Sequence, residues 1–212
     1  MGKPVIIFGS TGLAKAALEI FHSNGIVVYG FLDDDKKTHD QEINSVAVLG
    51  STEDHGFLKL IGQKCEAFVA TDDNKLRKRH VDYLIETRKV MPMNAIHESA
   101  TISATSTIGH GNFINAGVIL SNDSKIGQHN VINSKVLIEQ EATISDFVQI
   151  GAGSIINSGV TIEEGAFIGS GVTIVSGVTI GKNARIGAGS VVVGDVAKSK
   201  TVFGNPAVEI KN

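Results

Sequence analysis

The sequence predicts two unlike domains: a Rossmann-like α/β half-domain over residues 1–95, then a parallel β-helix of hexapeptide repeats with a C-terminal tail over residues 96–212. Three observations carry this. An aliphatic residue recurs every six positions from Ile96 to Val192 without an insertion. Ahead of that ladder, short apolar runs alternate with a glycine turn and helical patterns. Between the two the composition shifts: most of the charge precedes residue 95, and most of the Gly, Ile, Val and Ser follows it. Met91-Pro92-Met93-Asn94 sits at the junction, where the proline favours an extended residue before it.

The ladder runs Ile96, Ile102, Ile108, Ile114, Leu120, Ile126 and onward through Ile180 and Ile186. Four residues after most rungs the side chain is small or β-branched, as at Val118, Val136, Ala142, Val148, Ser154, Val160, Ala166, Val172, Val178 and Ala184. Two inward positions in six describe a short strand and a corner. Three such strands close a triangular coil, in which positions 18 residues apart stack and the aliphatic side chains fill the prism. Solenoids of this kind also serve as ice-binding or scaffold surfaces. An ice-binding face would carry a repeating threonine array, and the sequence reads as lacking one.

In the first half, residues 4–8 read as a buried strand, followed by Gly9-Ser10-Thr11-Gly12 and a helix to about Phe21. A strand, a glycine turn and a helix start offer free N–H groups and a positive helix end to phosphate or ribose. A second strand over residues 26–32 ends in Asp33-Asp34-Asp35, placed to accept from ribose hydroxyls or a base N–H. A third, over residues 67–71, leads to Asp72-Asp73-Asn74 and a helix over about 75–88. An NAD enzyme is the competing reading, but the chain has no room for a hydride-transfer domain.

The formal charge of −3 gives no basic patch for nucleic acid, and no segment reaches the ~18–20 apolar residues of a membrane span. The N-terminal apolar run is too short for a signal peptide, and the single Cys65 reads as a buried small residue. A cytoplasmic protein with a small-molecule partner is the expectation. His22, His39, His55 and His80 lie among charges and read as solvated rather than as metal ligands; His110 and His129 read as solvent-facing. No metal is expected.

The glycine loop, Phe31-Leu32-Asp33-Asp34, Ile96-His97-Glu98-Ser99-Ala100, the hexads and the closing Val202-Phe203-Gly204-Asn205-Pro206-Ala207 together resemble one family. It is the hexapeptide-repeat acyltransferase group of sialic-acid O-acetyltransferases and UDP-4-amino-sugar N-acetyltransferases, including the bacillosamine-pathway enzyme. The resemblance implies a left-handed β-helix and a homotrimer with active sites between neighbouring prisms. It also implies acetyl-CoA along the coils and a nucleotide sugar on the N-terminal domain. Gly9, Ser10, Thr11 and Gly12 would face that sugar, Asp33 and Asp34 would hold the uridine, and Asp72, with Asp73 beside it, replaces a family glycine. Ser158 would offer its backbone N–H to the thioester oxygen, Ser170 and Ala188 would contact coenzyme A through their main chains, and Pro206 belongs to the tail near the adenine. His97 would be structural at the first coil.

The family base is a histidine in a hexad I-E-H-E-x-x, and here that hexad is Ile138-Glu139-Gln140-Glu141-Ala142-Thr143. Gln140 therefore replaces the base, and Gln149 replaces a second histidine near the thioester. A glutamine cannot take a proton near neutral pH, so the acidity of the acceptor decides. A sugar amine with a pKa near ~8 is partly neutral at pH 7, whereas a hydroxyl is almost never ionised. The replacement points to N-acetylation of a nucleotide-linked amino sugar in surface-glycan biosynthesis. The alternatives are a catalytically impaired paralogue that binds nucleotide sugar or CoA, and an O-acetyltransferase using Glu141. Glu141 is the best substitute base, with Asp146 and Glu139 after it.

Overall fold

A computed structural model describes residues 2–210; Met1, Lys211 and Asn212, which the two expected domains include, lie outside the described residues. The chain divides into two compact units, with the division between Ala95 and Ile96.

The first unit is built on β1 (Val5–Phe8), α1 (Gly12–Ser23), β2 (Val28–Leu32), β3 (Glu42–Ile43), β4 (Val46–Gly50), α2 (His55–Leu58), β5 (Glu66–Val69) and α3 (Asn74–Tyr83). The sheet order is β3-β4-β2-β1-β5, parallel except for the β3–β4 hairpin. All four β1 residues are buried, as a strand covered on both faces must be. From α1, Leu13, Ala14, Ala17, Leu18, Ile20 and Phe21 face the sheet, where Phe21 meets Phe68 edge-on at 5.5 Å. The hairpin was not expected from the sequence. Its turn residues, Asn44 and Ser45, take φ of +47° and +65°, the geometry of a two-residue hairpin without the usual glycine. The third helix ends sooner than expected, passing at Leu84–Arg88 into a π-turn that stops at Lys89 with φ +56°.

The second unit is a left-handed parallel β-helix. Seventeen two-residue strands, β6 (Ala95–Ile96) through β22 (Val191–Val192), form three parallel sheets, closed by β23 (Thr201–Gly204) and β24 (Ala207–Glu209). Strands pair with those 18 residues away, as Leu120 with Ile138 and Ile138 with Ile156. The first sheet contains Ile119–Leu120 and its stack, the second Lys125–Ile126, and the third Val131–Ile132. Ladder residues from Ile114 onward are fully or nearly fully buried, together with the small residues four positions later.

The corners show what the aliphatic period did not. From Gly111 to Gly189 every sixth residue has φ between +57° and +75°, whether glycine or not. Asp123, His129, Lys135, Glu141, Phe147 and Asn183 hold this left-handed position without being glycine. The structure also corrects two expectations. His129 is buried rather than solvent-facing, because its ring lies over Gly111, where a Cβ would meet it at 2.2 Å, and stacks on Phe147 at 5.0 Å. A threonine column does exist: Thr107, Thr143, Thr161 and Thr179 run up the second sheet, interrupted by Lys125.

In the first coils Asn112 and Asn130 take the place of the small inward residue. Asn112 Oδ1 accepts from Asn130 N–H at 2.9 Å, and Asn130 Oδ1 accepts from Val148 N–H at 2.7 Å. This buried ladder supplies acceptors that an aliphatic side chain lacks. Asn130→Ala should therefore lower stability by about 1–3 kcal/mol in chemical denaturation, because Val148 N–H is left buried without a partner.

Candidate functional site

The carboxyl ends of β1, β2 and β5 open into a cleft of about 160 Å³ lined by Phe8, Gly9, Thr11, Asp33, Asp34, Thr52, Ala70, Thr71, Leu76 and His80. It lies beside β1, where the chain order reverses and where such sheets bind ligands. Gly9 is a glycine for two reasons. Its φ is +102°, and a Cβ would come within 2.5 Å of the Ala70 carbonyl oxygen. Buried Ser10 donates to Asp33 Oδ2 at 2.6 Å, tying the turn to the end of β2.

Asp34 is more occupied than expected. Its Oδ1 accepts from Ser51 Oγ at 2.9 Å, Thr52 N–H at 3.0 Å and Thr52 Oγ1 at 2.7 Å, while Oδ2 lies 3.8 Å from Arg79. Partial burial raises its pKa, but the hydrogen bonds from Thr52 and Ser51 outweigh this and hold the carboxyl below its ordinary value. Asp34 thus fixes the loop after β4. Asp72 and Asp73 do not line the cleft. Asp73 is the N-cap of α3, accepting from Lys75 and Leu76 N–H at 2.8 and 3.0 Å, and those bonds depress its pKa.

His80 corrects the reading of a solvated helix histidine. It is 8% exposed, packs on Phe8 at 5.6 Å between ring centroids, and shares the cleft with Asp33 and Asp34. The charged run Arg77-Lys78-Arg79 suggested solvent, yet Arg77, His80, Val81 and Leu84 follow one another at helical spacing on the inner face. Arg77, at 1% exposure, donates to the Thr71 carbonyl at 2.7 Å and to Asn74. Desolvation lowers it to about 10, with Asp72 and Asp73 opposing. His39, also expected to be solvated, is half-buried, with Nε2 2.7 Å from the Asp33 carbonyl. His22 and His55 are exposed, and Cys65 is buried, which pushes its thiol up.

Burial pushes His80 below its ordinary 6.5, Arg79 adds to this, and Asp34, Asp33 and Glu53 oppose it. The unfolded chain therefore takes up this proton first on acidification. The stability concerned is complete above about 6.5 and is lost as pH falls toward the lowered folded value. The urea midpoint should drop between about pH 8 and pH 5.5, and His80→Gln should reduce that drop.

In the β-helix, exposed Gln140 sits at the corner between the first and second sheets, stacked between Asn122 and Ser158. Gly159 N–H donates to the Gln140 carbonyl at 3.0 Å, and Glu141 N–H to the Asn122 carbonyl at 3.2 Å. Ser158 Oγ donates to Glu139 Oε2 at 2.9 Å, so Glu139 reaches up one coil while Glu141 points off an exposed corner at φ +61°. The backbone N–H groups of Ser158, Ser170 and Ala188 have no acceptor among the described residues. Ser170 and Ala188 stack one coil apart on the corner between the third and first sheets. Gln149 lies on the outer side of the third sheet, the face opposite the Gln140 corner, so one prism cannot bring the two together. Pro206 is exposed in the β23–β24 turn. His110 is exposed. His97 is held at the first corner, where its Nδ1 accepts from Ser99 N–H at 3.1 Å and Ser99 Oγ in turn accepts from Gly117 N–H at 3.1 Å. Among the described residues no group of three His, Cys, Asp or Glu side chains could hold a metal ion, and no helix is long and apolar enough to cross a membrane.

Residues 4–84 match the PglD N-terminal domain family, and residues 141–175 and 159–194 match the bacterial transferase hexapeptide (six repeats) family. No curated protein sequence matches. Among solved structures, the chain is similar to a histidine-to-asparagine variant of perosamine N-acetyltransferase from Caulobacter crescentus in complex with CoA and GDP-perosamine. The TM-score is 0.90 and the identity 31%, over 99% of this chain and 97% of that one. The acetyltransferase domain of PglB from Neisseria gonorrhoeae FA1090, in complex with acetyl coenzyme A, matches in fold with a TM-score of 0.89 at 24% identity, covering 99% and 100% of the two chains. WeeI from Acinetobacter baumannii AYE matches in fold with a TM-score of 0.86 at 24% identity, covering 98% and 99%. The chain is an acyltransferase and belongs to the hexapeptide-repeat family of sialic-acid O-acetyltransferases and amino-sugar N-acetyltransferases.

Proposed function

We propose that the protein transfers the acetyl group of acetyl-CoA to the amine of a nucleotide-linked amino sugar, as a cytoplasmic step of surface-glycan assembly. The observation that carries this is Gln140, at the corner where the family has its base, one coil from the free N–H of Ser158. The amine lone pair attacks the thioester carbonyl carbon, the C–S bond breaks, and CoA leaves as thiolate. Ser158 N–H supports the oxyanion between these events. Gln140 can accept from the attacking amine and orient it, and the proton that nitrogen loses ends on the thiolate or on water. Ser170 and Ala188 would hold the donor through main-chain N–H groups, with Gln149 and Pro206 along its length. Gly9, Ser10, Thr11, Gly12 and Asp33 would hold the nucleotide.

A homotrimer fits this reading. Gln140 and Gln149 lie on opposite sides of one prism, and Ile119, Leu137 and Ile155 form an outward apolar stripe on the first sheet that a second copy would cover. The experiment is thiol release from acetyl-CoA on adding nucleotide-linked 4-amino sugars, with the N-acetyl product identified by mass. Failure of every such acceptor to elicit release, before and after Gln140→His, would overturn the reading. Gln140 also supports a second one, an impaired paralogue that keeps its ligands. In that case both ligands bind calorimetrically and turnover stays absent.

A further inference from the structure

A second cleft, of about 410 Å³, lies between α2 and α3, lined by Thr52, Glu53, His55, Arg79, His80 and Tyr83. It shares Thr52 and His80 with the glycine-loop cleft, so the two adjoin as an inner and an outer compartment. Leu76, His80 and Tyr83 follow each other along one face of α3, and that face lines the groove from end to end. The inner compartment alone falls below the ~300 Å³ at which small-molecule sites begin, so a ligand anchored at Gly9 and Asp33 must extend into the outer one.

We propose that the outer compartment receives the nucleobase of the substrate and that it is built for guanine, with Glu53 reading the base. The inference rests on the nucleotide-sugar reading above. Tyr83 and His80 put aromatic rings into the lining of the groove, against which a flat base can pack. Burial beside Arg79 keeps His80 neutral, so its ring stacks without placing a charge under the base. Glu53 stands on a fixed loop. Its N–H donates to Ser51 Oγ at 3.2 Å, and Ser51 Oγ donates to Asp34 at 2.9 Å. Asp34, whose Oδ1 is filled by three protein donors, positions this wall, which leaves Glu53 as the carboxylate available to a base. Guanine presents two adjacent donors, N1–H and the N2 amino group, that match the two oxygens of a carboxylate, and an O6 acceptor for Arg79. Uracil presents one N–H between two carbonyls, which a carboxylate would face with repulsion.

The test is calorimetry on the full chain with GDP and with UDP, for the wild type and for Glu53→Gln, with CoA binding to the same samples as the check on folding. GDP should bind about tenfold or more tighter than UDP. Glu53→Gln should weaken GDP by about tenfold while leaving UDP and CoA within about twofold. Equal binding of GDP and UDP, or a GDP affinity indifferent to Glu53→Gln, overturns the guanine assignment and leaves the nucleotide-sugar reading standing. Binding of neither nucleotide by a wild type that binds CoA removes both.

Discussion

Gln140→His should raise the rate of acetyl transfer by about 10²-fold, the lower end of what a positioned general base contributes. The corner geometry is already present. Gln140 is exposed and stacked between Asn122 and Ser158, so a histidine there needs no backbone change. The gain should appear in kcat with little effect on KM, because the imidazole acts on a proton that moves only in the transition state. It should also bring a new ionisation near ~6.5 into the pH–rate profile, with activity rising as the imidazole becomes neutral. The wild type should lack that limb and follow the amine, near ~8. Glu141→Gln separates the alternatives. Glu141 sits on an exposed left-handed corner, and the nearer carboxylate to Ser158 is Glu139, so Glu141→Gln should change the wild-type rate by less than about threefold. A large loss there, with Gln140→His inert, would reassign the base to Glu141.

The sequence revealed the prism because its determinants are periodic. One aliphatic side chain in six, inward at every strand, leaves a period that neither an amphipathic helix nor an ordinary half-buried strand produces. The left-handed corners have an equally strict period but only a broken chemical one, since glycine gives way at Asp123, His129, Lys135, Glu141, Phe147 and Asn183, which share a φ and no side-chain property. The burial of His129 is invisible in the sequence for that reason. Its burial depends on Gly111 below it and Phe147 18 residues on, and only the stacked coil brings these together. The cleft was half legible. Gly9, Thr11, Asp33 and Asp34 were readable from strand ends, which chain order fixes. Thr52, Glu53, Arg79, His80 and Tyr83 were not, because they come from the loop after the unexpected hairpin and from a helix whose charge masked its phase. The 77–80–81–84 spacing could have exposed His80; nothing local could have exposed Thr52.

Gly169→Ala should weaken CoA binding by about tenfold or more and lower stability by about 1–3 kcal/mol, although Gly169 contributes no side chain to any site. It belongs to a stack with Gly151 and Gly187, each at the first position after the third sheet. A Cβ at Gly169 would lie 2.5 Å from Ala188 N and 2.7 Å from Ala188 Cα, and one at Gly151 would lie 2.3 Å from Ser170 N. These atoms are main chain, so they move only if the coil moves. The coil is held, since Gly189 N–H donates to the Ser170 carbonyl at 2.8 Å and Gly169 N–H to the Ile186 carbonyl at 2.9 Å. The methyl group must therefore displace the Ala188 N–H, one of the two groups assigned to the donor. In a solenoid each coil rests on its neighbours alone, so the strain stays within two coils and the nucleotide groove should keep its affinity. Gly177→Asn is the control. At φ +75° and with nothing within 4 Å of a Cβ, it asks only for a left-handed residue, which asparagine supplies, and should change stability by less than about 1 kcal/mol. If Gly169→Ala lowers thermal stability as expected while CoA affinity stays unchanged, the donor does not lie along the Ser170–Ala188 corner, and the assignment of those N–H groups fails while the fold argument stands.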